Sequence, residues 1–361
     1  SGLVKFMPFR SASQCHAIGD DAFSYVYTFL HFSLLGTVAR VCKRWRAASQ
    51  DPFWLPDVVC YAWGREGVSG LAKAASKPTL LDFSITRSVR AVVCADDATF
   101  AVCDDGTLYH WGRSWEPDFE RQEARTQLAP TRVAGLSDVV SVACTPSGYY
   151  HGRGRSLGYT CAALTAAGKL YTWGNNVYGQ TLQAAPAHLS RNPADYFVAA
   201  PREVAFGDDE RTLKVCVGLY FIAVQRIDGS STHVHWAGRF DALDNIDAYD
   251  GPNAHLQLQP ELDGFKLAAL VAGAFHCCAL TDEGTLYAFG DKYGADVANG
   301  NLLGLAKPSE DEGPSAFPAT RIGCLAPVVK VACSTYSTVA ITTDGAAYSW
   351  GDNDGGALGR A

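Results

Sequence analysis

"VAGAFHCCALTDEGTLYAFGDKYG", residues 271–294, reads as a β-hairpin with its punctuation. The apolar run "CCALT" (277–281) meets Asp-Glu-Gly, where glycine can take the positive φ of a tight turn. The next run, "TLYAFG", sets Tyr287 and Phe289 two residues apart, which places both on one face of a strand. Upstream, "LAALVAG" (267–273) reads as one more strand.

The phrase recurs. "DDGTLYHWGRS" (104–114), "AAGKLYTWGNNVYGQ" (166–180), "DGSSTHVHWAGRF" (228–240) and "TDGAAYSWGDNDGGALG" (343–359) are versions of it. Their central aromatics, with Phe289, are Trp111, Trp173, Trp236 and Trp350, separated by 62, 63, 53 and 61 residues. A period of this length marks repeated supersecondary units. Tyr171 and Trp173 should pack as a pair against the neighbouring unit. A glycine follows each aromatic, set back by one in "HWAGR". Apolar strands precede each hairpin: "VVSVAC" (139–144), "LKVCVG" (213–218) and "VVKVAC" (328–333). Several strands per unit, with no helical period between them, give β-propeller blades.

Composition narrows the function. The chain has 361 residues, 35 of them glycine, and a formal charge of −7. Residues 1–56 carry six Lys/Arg against three Asp/Glu, so the remainder holds −10. An acidic body opposes broad phosphate-backbone binding, which needs clustered cations. No apolar run reaches the roughly 20 residues of a membrane span, and the first residues lack the apolar core of a signal peptide. The 12 cysteines show neither CxxC pairs nor His partners at zinc spacing. Cys94, Cys144, Cys216 and Cys333 lie in apolar runs and read as small buried hydrophobes. A reducing cytoplasm or nucleus is the expected compartment. There is no Walker loop, metal-spaced His pair or nucleophile elbow, so no catalytic residue, metal or cofactor is expected. His276 reads as a packing residue.

"VAGAFHCCALTDEGTLYAFGDKYG" and "VACSTYSTVAITTDGAAYSWGDNDGGALG" (331–359) closely resemble the repeat of the regulator of chromosome condensation family. The resemblance covers roughly residues 86–361 and implies a mainly-β, seven-bladed propeller, of which about five blades are legible. The third copy departs most, and the second carries an insertion, "TPSGYYHGRGRSLG" (145–158). Residues 57–85, with "VVCYAWGREGVSGLA" (58–72), read as a linker or a degenerate first blade. The chain stops at a repeat boundary, so the expectation is a propeller truncated at its C-terminus or an atypical one.

The N-terminal part is different in kind. After a segment of 17 residues expected to be flexible, residues 18–56 place apolar positions at helical spacing and end in "VARVCKRWRAASQDPFW" (38–54). Ser33 stands where it would cap a second helix. Such a basic helix can bind nucleic acid, an anionic membrane or a protein. The order of residues resembles an F-box, a small all-α domain, although "AIGDD" replaces the usual Leu-Pro opening. By that resemblance Leu30, Leu34, Val38, Val41 and Cys42 would line the contact with a ubiquitin-ligase adaptor or the motif's own core. Trp45 and Trp54 would build its packing, and Lys43, Arg44 and Arg46 would be its solvated face.

The pairing implies a non-catalytic substrate-recognition subunit of a cullin-type ubiquitin ligase, with an unidentified target protein on the blade loops. Candidate loops are 114–135, 145–158, 181–202, 238–262 and 291–325. Arg153 and Arg155 would suit an acidic or phosphorylated target, or lie in a glycine-rich loop without one. The alternative is guanine-nucleotide exchange on a small GTPase. Light sensing through stacked tryptophans fits poorly, because these tryptophans occupy the repeat phrase itself. Nucleic acid and membrane are not expected partners.

Overall fold

The computed structural model describes residues 61–64, 75–80, 89–95, 98–118, 123–145, 159–184, 193–207, 210–240, 256–291, 301–305, 316–323, 325–353 and 356–359. The F-box-like residues Leu30, Leu34, Val38, Val41, Cys42, Trp45 and Trp54, and the loop residues Arg153 and Arg155, lie outside them.

A short antiparallel pair, β1 (Tyr61–Gly64) and β2 (Ala75–Leu80), comes first. Five antiparallel sheets follow in chain order. Blade one holds β3 (Val89–Cys94), β4 (Ala98–Cys103), β5 (Leu108–Asp118) and β6 (Glu123–Arg132). Blade two holds β7 (Val139–Cys144), β8 (Thr160–Thr165), β9 (Leu170–Asn175) and β10 (Phe197–Glu203). Blade three holds β11 (Glu210–Val217), β12 (Phe221–Asp228), β13 (Ser231–Gly238) and the two-residue β14 (Gln257–Leu258). Blade four holds β15 (Leu267–Ala272), β16 (His276–Thr281), β17 (Leu286–Asp291) and β18 (Ala316–Arg321). Blade five holds β19 (Val328–Cys333), β20 (Ser337–Thr342) and β21 (Ala347–Gly351). Each sheet pairs its strands in sequence order, and the first strands β3, β7, β11, β15 and β19 approach one another in succession. The result is a set of radial sheets with the first strand innermost, as the repeat implied.

The core is sliced between blades. Phe100, Val102 and Leu108 of blade one meet Val139, Val142, Cys161, Ala163 and Trp173 of blade two in one cluster. Trp173 is fully buried there, with Tyr171 packed beside it, so the aromatic pair faces the preceding blade. Cys278, Leu280, Leu286 and Ala288 of blade four meet Val328, Val331, Ala340 and Trp350 of blade five in the same way. A strand alternates its faces, so each second strand sends one set of side chains back and the other forward. In blade five the forward set is open: Val339 is 41% and Ile341 39% exposed. Their blade-four counterparts, Cys278 and Leu280, are buried. At the other end Val92 and Cys94 of β3 are exposed, which corrects the expectation that Cys94 is buried. Cys144 and Cys216 are buried as expected, and Cys333 is intermediate. The difference follows from position: Cys144 lies between blades one and two, whereas β3 begins the first blade.

Blade three corrects a second expectation. In blade two Trp173 pairs with Cys161, and in blade four Phe289 pairs with Cys277. The equivalent partner of Ile222 in blade three is Ala237, while Trp236 pairs with Ala223. The extra residue in "WAG" therefore moves the tryptophan to the opposite face, because a strand reverses direction at every residue. Ala237 fills the slot of Trp173, against Leu170, Val217 and Ile222. Trp236 instead packs forward on Phe240, ring centroids 4.4 Å apart, and Phe240 packs on Phe221 at 4.3 Å.

One close approach fixes the rim of blades two to five. The residue after the conserved-phrase glycine donates its N–H to the carbonyl that precedes the second strand. These bonds are Asn175 to Tyr159 (3.0 Å), Arg239 to Tyr220, Asp291 to Phe275 and Asp352 to Tyr336 (2.8 Å each). A Cβ on Gly174, whose φ is +94°, would stand 1.9 Å from the Tyr159 carbonyl oxygen. Gly174→Ala should cost about 2–4 kcal/mol of stability, read as a lower urea midpoint with unchanged slope. Trp173→Ala should cost about 3–5 kcal/mol, and Trp236→Ala clearly less, because Trp236 is only partly buried. Equal costs in thermal unfolding would contradict the reversed face.

Candidate functional interface

The strand directions give the molecule two unlike faces. On one, second and third strands are joined by short turns, 104–107, 166–169, 282–285 and 343–346 in one length and 229–230 shorter. Gly284 N–H closes one of them on Thr281 O at 3.0 Å. On the other face the chain leaves after the third strand and returns at the fourth. It leaves at Asn175 and returns at Phe197; it leaves at Asp291 and returns at Ala316. The insertion of blade two also opens there, between Thr145 and Tyr159, whose neighbourhood is pinned by Thr145 N–H to Thr160 O at 2.9 Å. Arg153 and Arg155 belong to this connection, outside the described residues. The long stretches singled out in the sequence thus depart from one face, and the hairpin turns occupy the other.

Residues 114–135 hold more order than a loop. β5 continues from Gly112 to Asp118, and β6 pairs with it through Arg113↔Thr126, Pro117↔Ala124 and Asp118↔Glu123. β9 ends at Asn175, so β5 carries its ladder past the level at which the equivalent strand of blade two stops. Blade one therefore raises a hairpin above the loop-bearing face. No repeat signal marks it, because it replaces a connection rather than extending the phrase.

Beneath the loops lies an aromatic arc with one member from each of blades two to five. Tyr178 meets Tyr220 with ring centroids 5.0 Å apart, Tyr220 meets Phe275 at 6.1 Å, and Phe275 stacks on Tyr336 at 5.7 Å. Tyr220, Phe275 and Tyr336 hold the same repeat position, and the separation suits edge and offset ring contacts. The Arg239 guanidinium sits 5.6 Å from the Tyr178 ring. Tyr178, Tyr220 and Phe275 are buried and Tyr336 partly so, and the arc supports the loops from below.

The turn after β9 is held by side-chain amides. Asn175 Oδ1 accepts from Val177 N–H (3.0 Å), Gln180 Oε1 from Tyr178 N–H (2.8 Å), and Asn176 Oδ1 from Thr181 N–H (2.9 Å). Thr172 donates its hydroxyl to Thr181 O. Asn176, Gln180 and Thr181 are buried; their side-chain bonds hold the turn, although Gln180 Nε2 has no partner. The segment "GNNVYGQTL" (174–182) therefore reads as scaffold for the loop that follows.

His276, expected to be a packing residue, is buried and hydrogen-bonds Thr338 Oγ1 of blade five through Nε2 at 2.7 Å. Among the described residues no group of three or more His, Cys, Asp or Glu could hold a metal ion. On blade three, His233 Nδ1 lies 2.9 Å from Asp263, and Arg226 pairs with Glu210 while its guanidinium covers Phe206 at 4.4 Å. His235 lies beside this group, and burial, then the positive charge of Arg226, pushes its pKa down to about 4 from 6.5.

Three segments match the model described as "Regulator of chromosome condensation (RCC1) repeat", residues 139–180, 268–292 and 328–357. They fall in blades two, four and five; the blade with the reversed tryptophan is not among them. Protein pim1 of Schizosaccharomyces pombe is 25% identical over 75% of this chain, which spans 48% of that protein's length. Human E3 ubiquitin-protein ligase HERC2 is 26% identical over 73% of this chain and 5% of its own. Among solved structures, Prp20p of Saccharomyces cerevisiae aligns with TM-score 0.61 at 18% identity, covering 82% of this chain and 68% of that one. Human WBSCR16 aligns with TM-score 0.55 at 21% identity, covering 77% and 65%. The repeats are of the regulator of chromosome condensation type, and the fold is a mainly-β propeller of that type with about five blades.

The folded His235 resists protonation, so between about pH 6.5 and 4 the unfolded chain binds a proton that the folded chain does not. Its contribution to stability is complete above pH 6.5 and is lost as pH falls towards 4. In urea unfolding the wild type should lose more midpoint than His235→Gln between about pH 7 and about pH 4.5.

Proposed function

We propose that this protein is a non-catalytic regulator or adaptor whose loop-bearing propeller face binds a partner protein. The observation that supports this most directly is the asymmetry of the two faces. A scaffold of stacked sheets and an aromatic arc carries long, unlike connections on one side and short turns on the other. Repeat scaffolds of this kind vary one face without disturbing the stacked core. Relatives with propellers of this type support a regulating or binding role: Prp20p, which binds Gsp1p and histones, and HERC2, an E3 ubiquitin-protein ligase.

At finer detail, we read the protein as the substrate-recognition subunit of a cullin-type ubiquitin ligase in the cytoplasm or nucleus. Residues 18–56, through Leu30, Leu34, Val38, Val41, Cys42, Trp45 and Trp54, would dock on the ligase adaptor. The propeller face, with Arg153 and Arg155, would hold the target. Support for this reading is the residue order of "VARVCKRWRAASQDPFW". The second reading is regulation of a small GTPase, supported by the likeness to Prp20p.

The whole chain should bind the purified adaptor in calorimetry, with binding lost in Trp45→Ala and in Val41→Asp and kept in a double Arg153→Ala, Arg155→Ala variant. If the folded protein binds no adaptor but speeds nucleotide release from Gsp1p-type GTPase, the second reading replaces the first. If it does neither, the ligase and GTPase readings both fall.

A further inference from the structure

Every first strand carries the same irregularity. The ladder between first and second strands skips one residue in each blade: Arg90, Val140, Leu213, Ala268 and Val329. At such a bulge two residues oppose one on the partner strand, and the extra residue is left out of the ladder. The residue before each bulge, Val89, Val139, Thr212, Leu267 or Val328, is buried. The bulged residue is exposed in four blades and half-buried at Val140. Blades two to four have a neighbour on either side, so the accessible edge of their innermost strand is the one towards the axis. Leu213 is 37% exposed there, and its equivalent Val329 is 51% exposed.

The charge at this level runs against that of the body. Each bulged residue and the next form a pair: Arg90-Ala91, Val140-Ser141, Leu213-Lys214, Ala268-Ala269 and Val329-Lys330. The pairs hold three cations and no carboxylate, in a body that otherwise carries excess negative charge. Just before them, exposed Asp138 and Arg211 offset each other, and Lys266 pairs with Asp282 at 3.5 Å. Among the described residues Arg90, Lys214 and Lys330 have no ion-pair partner, and Glu210 of β11 is engaged by Arg226. Val139 N–H bonds Gly106 O, Thr212 N–H bonds Gly168 O and Val328 N–H bonds Gly284 O. The bulges therefore lie next to the hairpin turns, at the mouth of the axis on the turn-bearing face.

We infer that this arc of bulges is an interface of its own, opposite the loops, for an acidic partner segment that carries apolar side chains. Lys214 and Lys330 would pair with its carboxylates, and Val140, Leu213 and Val329 would receive its apolar side chains. Charge complementarity selects this occupant. A nucleic acid fits worse. Its strand brings a phosphate with every nucleotide towards an acidic body, and the bulge pairs offer no aromatic ring for base stacking.

The test is fluorescence anisotropy with the whole chain and a labelled peptide, Glu-Glu-Leu-Glu-Glu-Phe-Glu-Glu. Saturable binding is expected. It should weaken as salt rises from about 0.1 M to about 1 M, where the screening length falls from about 10 Å to about 3 Å. Lys214→Glu combined with Lys330→Glu should weaken it about tenfold or more. Leu213→Ser should weaken it too, as should replacing the peptide's Leu and Phe by Ser. Arg153→Ala combined with Arg155→Ala, on the loop-bearing side, should leave it unchanged. Thermal unfolding checks that each variant is folded, and Lys214→Ala with Lys330→Ala repeats the test should the charge reversal fail to fold. Four outcomes overturn the inference. They are no saturable binding to the folded chain, binding that survives the lysine variants, and equal binding of the Ser-replaced peptide, which shows ionic attraction alone. The fourth is tighter binding of a labelled dT oligonucleotide that is lost in the same lysine variants.

Discussion

The rest of the structure hangs on a contact between two backbones, where the phrase glycine of the third strand in blades two to five lies against the carbonyl that opens the second. At Gly174 the Tyr159 oxygen occupies the space a Cβ would need, and the next N–H donates to that same oxygen. This bond sets how far the second strand reaches before the chain turns, and so the height of the rim. It recurs at Arg239, Asp291 and Asp352. Because the rim has one height, Tyr220, Phe275 and Tyr336 come level and can touch from blade to blade. The aromatic arc is a consequence of the backbone contact, and the loops above it inherit a common base.

Blade packing follows a parity rule with one exception that explains itself. Side chains of the second and third strands alternate between the preceding and the following blade, so each interface joins a forward set to a backward set. Inserting one residue before Gly238 keeps the rim contact and reverses the tryptophan. Preserving both would need the extra residue to bulge out, and β12 pairs with β13 without a register shift. The rim contact therefore prevailed over the position of the largest side chain. Phe240, next to Trp236 and Phe221, fills the volume on the new side, and Ala237 leaves room on the old one.

Much of the propeller was legible in the sequence because its inner three strands carry strong signals. Glycine turns, paired aromatics and apolar first strands are all demanded by burial on both faces, and β7, β11, β15 and β19 fall on the runs read as strands. The fourth strands were not legible. β14 spans two residues and β10 is mostly exposed, so neither has to follow a pattern. The raised hairpin of blade one was hidden for a like reason: its turn and charges look like those of a loop, and only cross-strand pairing distinguishes it. Cys94 was misplaced because "VVC" reads identically in an inner strand between two blades and in one at the end of the series. The direction in which the long connections leave was a property of topology, which emerged once the strands had been counted. The residues of the F-box-like segment and the basic loop belong to the proposals alone.

The same topology bears on how an interface built this way is supported. The loops rest on a scaffold whose blades contact through apolar slices pinned by backbone bonds, such as Val139 N–H to Gly106 O, Thr212 N–H to Gly168 O and Val328 N–H to Gly284 O. Side chains add to this: His276 bonds Thr338 between blades four and five, and Gln259 accepts from the Ala319 N–H between blades three and four. The former bond is next to the face of blade five where Val339 and Ile341 stand open. Recognition and its support thus sit on different layers of the same repeat: one in the variable connections, the other in the bonded core that carries them.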